Sequence, residues 1–217
     1  MPPTWHTLEA DEVLSQLGAA ITGLSSDTAR QRLSEYGQNA IAEQRRRSLL
    51  VMLLRQLTDF MIVVLLAAAV ISGMVGEPQD TIAILVIVLL NAIVGAVQEY
   101  RAERAVAALR EMAAPEARAL RDGQTVTVPA AELVPGDVVL LEAGNVIPAD
   151  LRLLTEEEMQ ADESALTGES QPVDKQTDRL DRTDLPLGDR SNLVYKSSLV
   201  TRGRGSGVVV ATGMVTE

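Results

Sequence analysis

Thr81-Ile82-Ala83-Ile84-Leu85-Val86-Ile87-Val88-Leu89-Leu90-Asn91-Ala92-Ile93-Val94-Gly95-Ala96-Val97-Gln98 carries no charge, and the chain runs on without a helix breaker through Glu99-Tyr100-Arg101-Ala102-Glu103-Arg104-Ala105-Val106-Ala107-Ala108-Leu109-Arg110-Glu111-Met112. At 1.5 Å per residue, about 20 helical residues cross the ~30 Å hydrocarbon core of a bilayer. The first segment is therefore read as a transmembrane helix. The second, rich in helix formers, continues it as a stalk that ends near Pro115. Upstream lies another uncharged run, residues 60–76, which reaches full length only by including Thr58 and Asp59 at its amino end. The short turn Gly76-Glu77-Pro78-Gln79-Asp80 separates the two runs. The expectation is a transmembrane hairpin with spans at about 57–76 and 81–99, built from Leu, Ile, Val and Ala without aromatic belts.

Charge sets the orientation of such a hairpin. Arg45, Arg46, Arg47 and Arg55 precede it, Arg101, Arg104 and Arg110 follow it, and the turn has no Lys or Arg. The positive-inside rule places both termini in the cytoplasm. Asp59 and Asp80, near opposite ends of the spans, read either as interfacial acids or as residues shaping an ion path. The polar start, Met1 to His6, lacks the basic-then-apolar pattern of a signal peptide.

On the amino-terminal side, residues 7–44 read as two short amphipathic helices. The second is capped by Ser25, stopped by Gly37, and given an apolar face by Leu24, Ala29, Leu33 and Tyr36. His6 and Trp5 are expected at the terminal surface, without a role. On the other side, Val and Leu runs at 117–120, 125–128, 137–142 and 150–154 alternate with Gly, Pro and Asp turns, which implies a small antiparallel β-domain. Residues 171–192 read as an exposed excursion. Strands are expected at 193–200 and 207–212, joined by Thr201-Arg202-Gly203-Arg204-Gly205-Ser206. Arg202 and Arg204 there face either a phosphate or acidic partner across an interface or, as a hairpin tip, solvent.

The fold class expected is thus an α+β membrane protein: residues 1–48 an N-terminal helical segment, 49–100 the hairpin, 101–116 the stalk and 117–217 the β-rich domain. The net charge of −11 and pI near 4.6 argue against nucleic acid as a partner. The absence of cysteine removes disulfides, thiolate metal sites and cysteine nucleophiles.

One motif carries chemistry. Thr167-Gly168-Glu169-Ser170 closes the run Asp162-Glu163-Ser164-Ala165-Leu166, and such a tetrapeptide arises by chance in roughly one chain of this length in several hundred. It stands beside the turns Val134-Pro135-Gly136-Asp137 and Val146-Ile147-Pro148-Ala149-Asp150, the span segment Asn91 to Gly95 with Gln98-Glu99, Gly23-Leu24-Ser25-Ser26, Asn192-Leu193-Val194-Tyr195 and Val209-Val210-Ala211-Thr212-Gly213. In this combination the whole chain resembles the amino-terminal part of a P-type ATPase, nearest its calcium-pump branch.

The resemblance implies an actuator domain tethered to two transmembrane helices. In that family an aspartate on a separate domain is phosphorylated from ATP, and the actuator then brings its loop against the aspartyl phosphate. Glu169 would orient and partly deprotonate the attacking water, Gly168 would permit close backbone approach, and Thr167 and Ser170 would hold the loop. The family's Asp-Lys-Thr-Gly-Thr phosphorylation motif does not occur here. No cofactor is therefore expected in this chain, and ATP and Mg²⁺ are implied only for a complete pump; alone the chain should be inactive. The partners implied are phosphorylation and nucleotide-binding domains, the lipid bilayer and a transported cation. Calcium leads, with sodium, manganese, potassium or protons as alternatives. The location implied is the plasma membrane of a prokaryote. A second reading is a stand-alone membrane-anchored module that docks on or regulates another pump without catalysis.

Overall fold

The computed structural model describes residues 4–41, 49–56, 58–76, 78–112 and 115–217. The arginine run at 45–47, Glu77 of the expected turn and the boundary at residue 48 lie outside them. The chain divides into two compact units, Gln44–Ala113 and the combination of Met1–Glu43 with Ala114–Glu217.

In chain order α1 (Ala10–Gln16) and α2 (Ser26–Tyr36) belong to the second of these units, and the described residues of the first unit form α3 (Leu49–Gln56), α4 (Phe60–Val75) and α5 (Pro78–Met112). α5 is the continuous helix read from the sequence. It starts at Pro78 rather than residue 81, because proline lacks only an N–H that the first helical turn leaves unpaired anyway. Its portion Pro78–Val106 is long and apolar enough to cross a membrane, and it alone is so among the described residues. α4 is shorter than expected. Asp59 stays outside the helix and caps it, its Oδ1 accepting from the Met61 N–H at 3.0 Å. Gly76, with φ +90°, ends it. The 16 residues left rise about 24 Å, less than the ~30 Å core. Within this unit α4 packs on α5, burying Ile62 and Ala69 against a face where Val88, Ala92 and Ala96 are buried. Small side chains along such a seam let two backbones approach closely. A Cβ on Gly95 would lie 2.5 Å from Oε1 of Gln56, so α3 also reaches α5 closely.

The other unit is built on an antiparallel sheet of β1 (Glu116–Arg121), β2 (Gln124–Pro129), β3 (Val138–Glu142), β4 (Asp150–Asp162), β5 (Val173–Asp174), β6 (Leu193–Val194) and β7 (Leu199–Ala211). The order is β2-β1-β3-β7-β4-β5, with β6 also on β4. The expected turn at 121–124 joins β1 to β2, with Arg121 paired to Gln124 and positive φ at Asp122 and Gly123. Alternating burial along the strands gathers Ala119, Leu133, Val139, Leu141, Ile147, Leu151, Leu153, Met159, Val194, Val200 and Val209 into one core. α1 (Ala10–Gln16) adds Val13 and Leu14, which pack with Val208. α2 (Ser26–Tyr36) covers Val134 with Ala29, Leu24 and Leu33. Ser25 caps α2 as expected, its Oγ accepting from the Thr28 N–H at 3.1 Å, and Gly37 ends it.

Several local expectations need correction. Tyr36 is the last residue of α2; the chain turns away at Gly37 and leaves it 63% exposed rather than on the apolar face. His6 is buried, not on the surface. Its Nε2 is 3.0 Å from the Arg182 carbonyl, and its own carbonyl accepts from Asn192 Nδ2 at 2.9 Å and from the Leu180 N–H at 2.8 Å.

The segment 201–206 is no connection between two strands but the middle of β7, paired along β4. Its glycines read as turn signals, yet they serve close backbone approach at the bulges between these strands. A Cβ on Gly203, whose φ is +72°, would lie 2.2 Å from the Glu157 carbonyl oxygen, and one on Gly205 would lie 2.5 Å from that of Thr155. Arg202 and Arg204 accordingly sit in a strand pair and not at a hairpin tip. Arg202 binds Glu158, and Arg204 Nη2 meets Glu157 Oε2 at 2.7 Å.

Candidate functional site

The candidate loop leaves the sheet at the end of β4 and returns to it at β5. Val173 and Asp174 pair with Ala161 and Gln160, and the Lys175 N–H donates to the Met159 carbonyl at 2.9 Å. Both feet of the loop therefore stand on one strand. Between them, the one-turn helix α6 (Ser164–Thr167) begins directly after Glu163. The Glu163 carbonyl accepts from the N–H groups of Leu166 and Thr167, each at 2.9 Å, and from Thr167 Oγ1 at 3.1 Å.

α6 ends at Gly168, with φ +77° and its N–H donating to the Ser164 carbonyl at 2.9 Å. That left-handed conformation suits glycine because it lacks a Cβ. A Cβ there would meet no atom within 4 Å, so the requirement is one of backbone conformation rather than room. The Glu169 N–H then donates to Thr167 Oγ1 at 3.2 Å. The Thr167 hydroxyl thus links the base of the loop to Glu169. Its methyl packs beside Gly188, where a Cβ would lie 3.3 Å from Thr167 Cγ2. Gly168, Glu169 and Ser170 are exposed and Thr167 is half-buried. The Ser170 hydroxyl has no hydrogen-bond partner among the described residues. The four residues are contiguous, and the structure presents the Glu169 carboxylate to solvent on a backbone fixed from behind.

Beneath the loop lies a feature that the sequence reading missed. Glu163 Oε1 and Lys175 Nζ form an ion pair at 2.5 Å with both side chains fully buried. Burial pushes the Glu163 carboxyl up and the Lys175 amine down, and the opposite charge of each opposes both shifts. Lys175 Nζ also stands 6.0 Å from the centroid of the Tyr195 ring, and the Tyr195 hydroxyl donates to the Leu187 carbonyl at 3.1 Å. In sequence, Glu163 and Lys175 are two charges among many, and only the pairing of β4 with β5 brings them together. At the start of the loop, hydrogen bonds from Ser164 hold Asp162 below the usual carboxylate range.

A second hub joins the amino-terminal segment to the sheet. Asn39 Nδ2 donates to the carbonyls of Ala130 (2.9 Å) and Pro148 (2.8 Å), while its Oδ1 accepts from Lys196 Nζ (2.8 Å) and the Gly213 N–H (2.9 Å). Asp137 does similar work in the Pro-Gly turn: it accepts from the Val134 N–H and forms an ion pair with Arg121 at 2.7 Å. In the helical unit, Asp59 and Asp80 both lie at helix starts, where negative charge meets the positive end of the helix dipole. Among the described residues, no group of three or more His, Cys, Asp or Glu is placed to hold a metal ion.

The P-type ATPase actuator-domain family matches residues 111–217, and the cation transporter/ATPase N-terminus family matches residues 5–72. Calcium-transporting ATPase 1 of Bacillus cereus is 43% identical over 97% of this chain and 24% of its own length. The calcium-transporting ATPase of Bacillus subtilis is 45% identical, with 98% and 24% covered. A probable cation-transporting ATPase F of Mycobacterium bovis is 46% identical, with 98% and 23% covered. The chain spans about a quarter of the length of these relatives. With family matches over residues 5–72 and 111–217 and relatives more than 40% identical along nearly the whole chain, the chain belongs to the P-type ATPases and corresponds to their amino-terminal, actuator-bearing part.

Proposed function

We propose that this chain supplies the dephosphorylation loop of a calcium-type P-type ATPase and its mechanical link to the membrane. One observation carries the reading: Glu169 is exposed at the end of a loop whose backbone is fixed by Gly168 in the left-handed conformation and by the Thr167 hydroxyl. Such a carboxylate can approach a phosphorylated residue on another domain without first rearranging its own support.

In the step proposed, Glu169 accepts a proton from a water molecule as the water oxygen bonds to phosphorus. The phosphorus–oxygen bond to the aspartyl carboxylate breaks, leaving a free carboxylate and inorganic phosphate. A positioned acid or base of this kind contributes about 10² to 10⁴ in rate. The aspartate, ATP and Mg²⁺ belong to phosphorylation and nucleotide-binding domains outside these residues. α4 and α5 are the two membrane helices of this proposal, with both termini cytoplasmic and the 76–80 turn outside. The 16-residue α4 then crosses only together with its polar amino-terminal approach, Thr58 and Asp59, at headgroup level. α5 beyond the bilayer is the stalk that transmits movement. Calcium as the cargo is proposed from the names of the Bacillus relatives.

The test joins the chain to its native downstream sequence and follows phosphoenzyme decay in Glu169→Gln. The aspartyl phosphate should form normally and persist at least about 100-fold longer. Decay at the unmutated rate would overturn the role given to Glu169.

A further inference from the structure

We propose that the buried Glu163–Lys175 ion pair is the positioning device of this loop, locking its two feet together so that Glu169 is presented in one geometry. The inference rests on the reading of Glu169 above. Glu163 and Lys175 bracket the loop, and their side chains meet at 2.5 Å. Among the described residues, no other hydrogen-bond partner serves the Glu163 oxygens or Lys175 Nζ. The tie is continuous with the reactive end. The carbonyl of Glu163 takes both the Thr167 N–H and the Thr167 hydroxyl, and that hydroxyl takes the Glu169 N–H. On the other foot, Lys175 is fixed by its N–H to Met159 and packs near Tyr195, whose hydroxyl holds Leu187 beside Gly188 and the Thr167 methyl.

Stability does not explain the pair. Removing two charges from water costs about what their attraction returns, and well-packed apolar pairs often replace buried ion pairs without loss. Two apolar side chains would close the core equally well but would slide past one another. A carboxylate and an ammonium at contact distance fix the separation and register of the loop's feet. A misplacement of about 1 Å in a reacting group can cost 100-fold in rate, so this constraint bears on the chemistry.

The experiment compares Glu163→Leu/Lys175→Met with the unmutated protein by two readouts. On the 217-residue chain in lipid nanodiscs, hydrogen exchange of the Leu166, Thr167 and Gly168 amides should accelerate about tenfold, while amides of β4 and β7 exchange as before. In the chain extended by its native downstream sequence, phosphoenzyme should form normally but decay about tenfold to 100-fold more slowly. Glu163→Gln, which keeps the volume and removes the charge, gives the same two readouts should the double variant not fold. Unchanged exchange in the loop together with unmutated decay would overturn the proposal, even if Glu169→Gln still prolongs the phosphoenzyme. Conversely, unmutated decay in Glu169→Gln would sink the role of Glu169, and accelerated loop exchange would still support the positioning role of the pair.

Discussion

The helical unit and the β-rich unit draw on the same side chains and place them oppositely. In the β unit Leu151 and Leu153 are fully buried, whereas in the helical unit Phe60, Met74 and Leu89 are 78%, 83% and 59% exposed. Apolar contact in the first is made within the chain. In the second, much apolar surface stays open on all but the seam where α4 meets α5. An open surface of this size on a soluble protein would drive association; within a hydrocarbon core it costs nothing. The difference teaches that burial in the folded chain separates a core closed within the chain from an apolar surface left open, while the composition of Leu, Ile, Val and Ala does not.

That contrast can be broken by truncating one leucine in each unit. Leu151→Ala should cost the β unit about 2–5 kcal/mol, read as a lowered urea midpoint, because the cavity cannot fully collapse. Leu89→Ala should leave that midpoint in place. Equal losses would mean that α5 is an ordinary core helix. A smaller effect sharpens the same point: Leu89→Arg, at an exposed position near the middle of the apolar stretch, should oppose membrane insertion by about 2.5–3.5 kcal/mol. Its measure is the fraction recovered with membranes after carbonate extraction. Retention equal to the unmutated chain would remove α5 as a span.

The smallest effect concerns pH and only the β unit. Burial first, and then the nearby Arg190 charge, lower the pKa of His6 below its usual 6.5. A depressed folded pKa favours the neutral ring in the native state, so this contribution to stability is present above pH 6.5. It is lost as pH falls through the depressed value. The unfolding midpoint should fall between pH 7.5 and 5.5, and His6→Asn should flatten part of that slope. A slope unchanged by the substitution would show that protonation elsewhere governs it.

Much of the architecture was legible because its signals are local. The uninterrupted helix formers of α5, the Ser25 cap and Gly37 stop of α2, and the Asp122-Gly123 turn each act within a few residues of themselves. Misreadings came where long-range contact overrides local preference. Glycines at 203 and 205 look like a loop until β4 lies against them, and their lack of a Cβ is then what permits the strand. Asp59 looks compatible with a span until it caps the helix. The loop at Thr167 to Ser170 was visible as a motif, but the ion pair beneath it joins the residues that follow β4 and β5 and leaves no local trace.

The sequence by itself determined the family, the apolar helix with its charged extension, and Glu169 as the acid of the loop motif. Periodicity, uninterrupted helix propensity and a rare tetrapeptide are all written in neighbouring residues. Tertiary structure alone decided that β7 runs unbroken through a glycine-rich segment, that His6 is interior, and that Glu163 and Lys175 meet beneath the loop. Those outcomes depend on which backbones come within hydrogen-bonding distance and which charges lose water together, and neither is fixed until the sheet has closed.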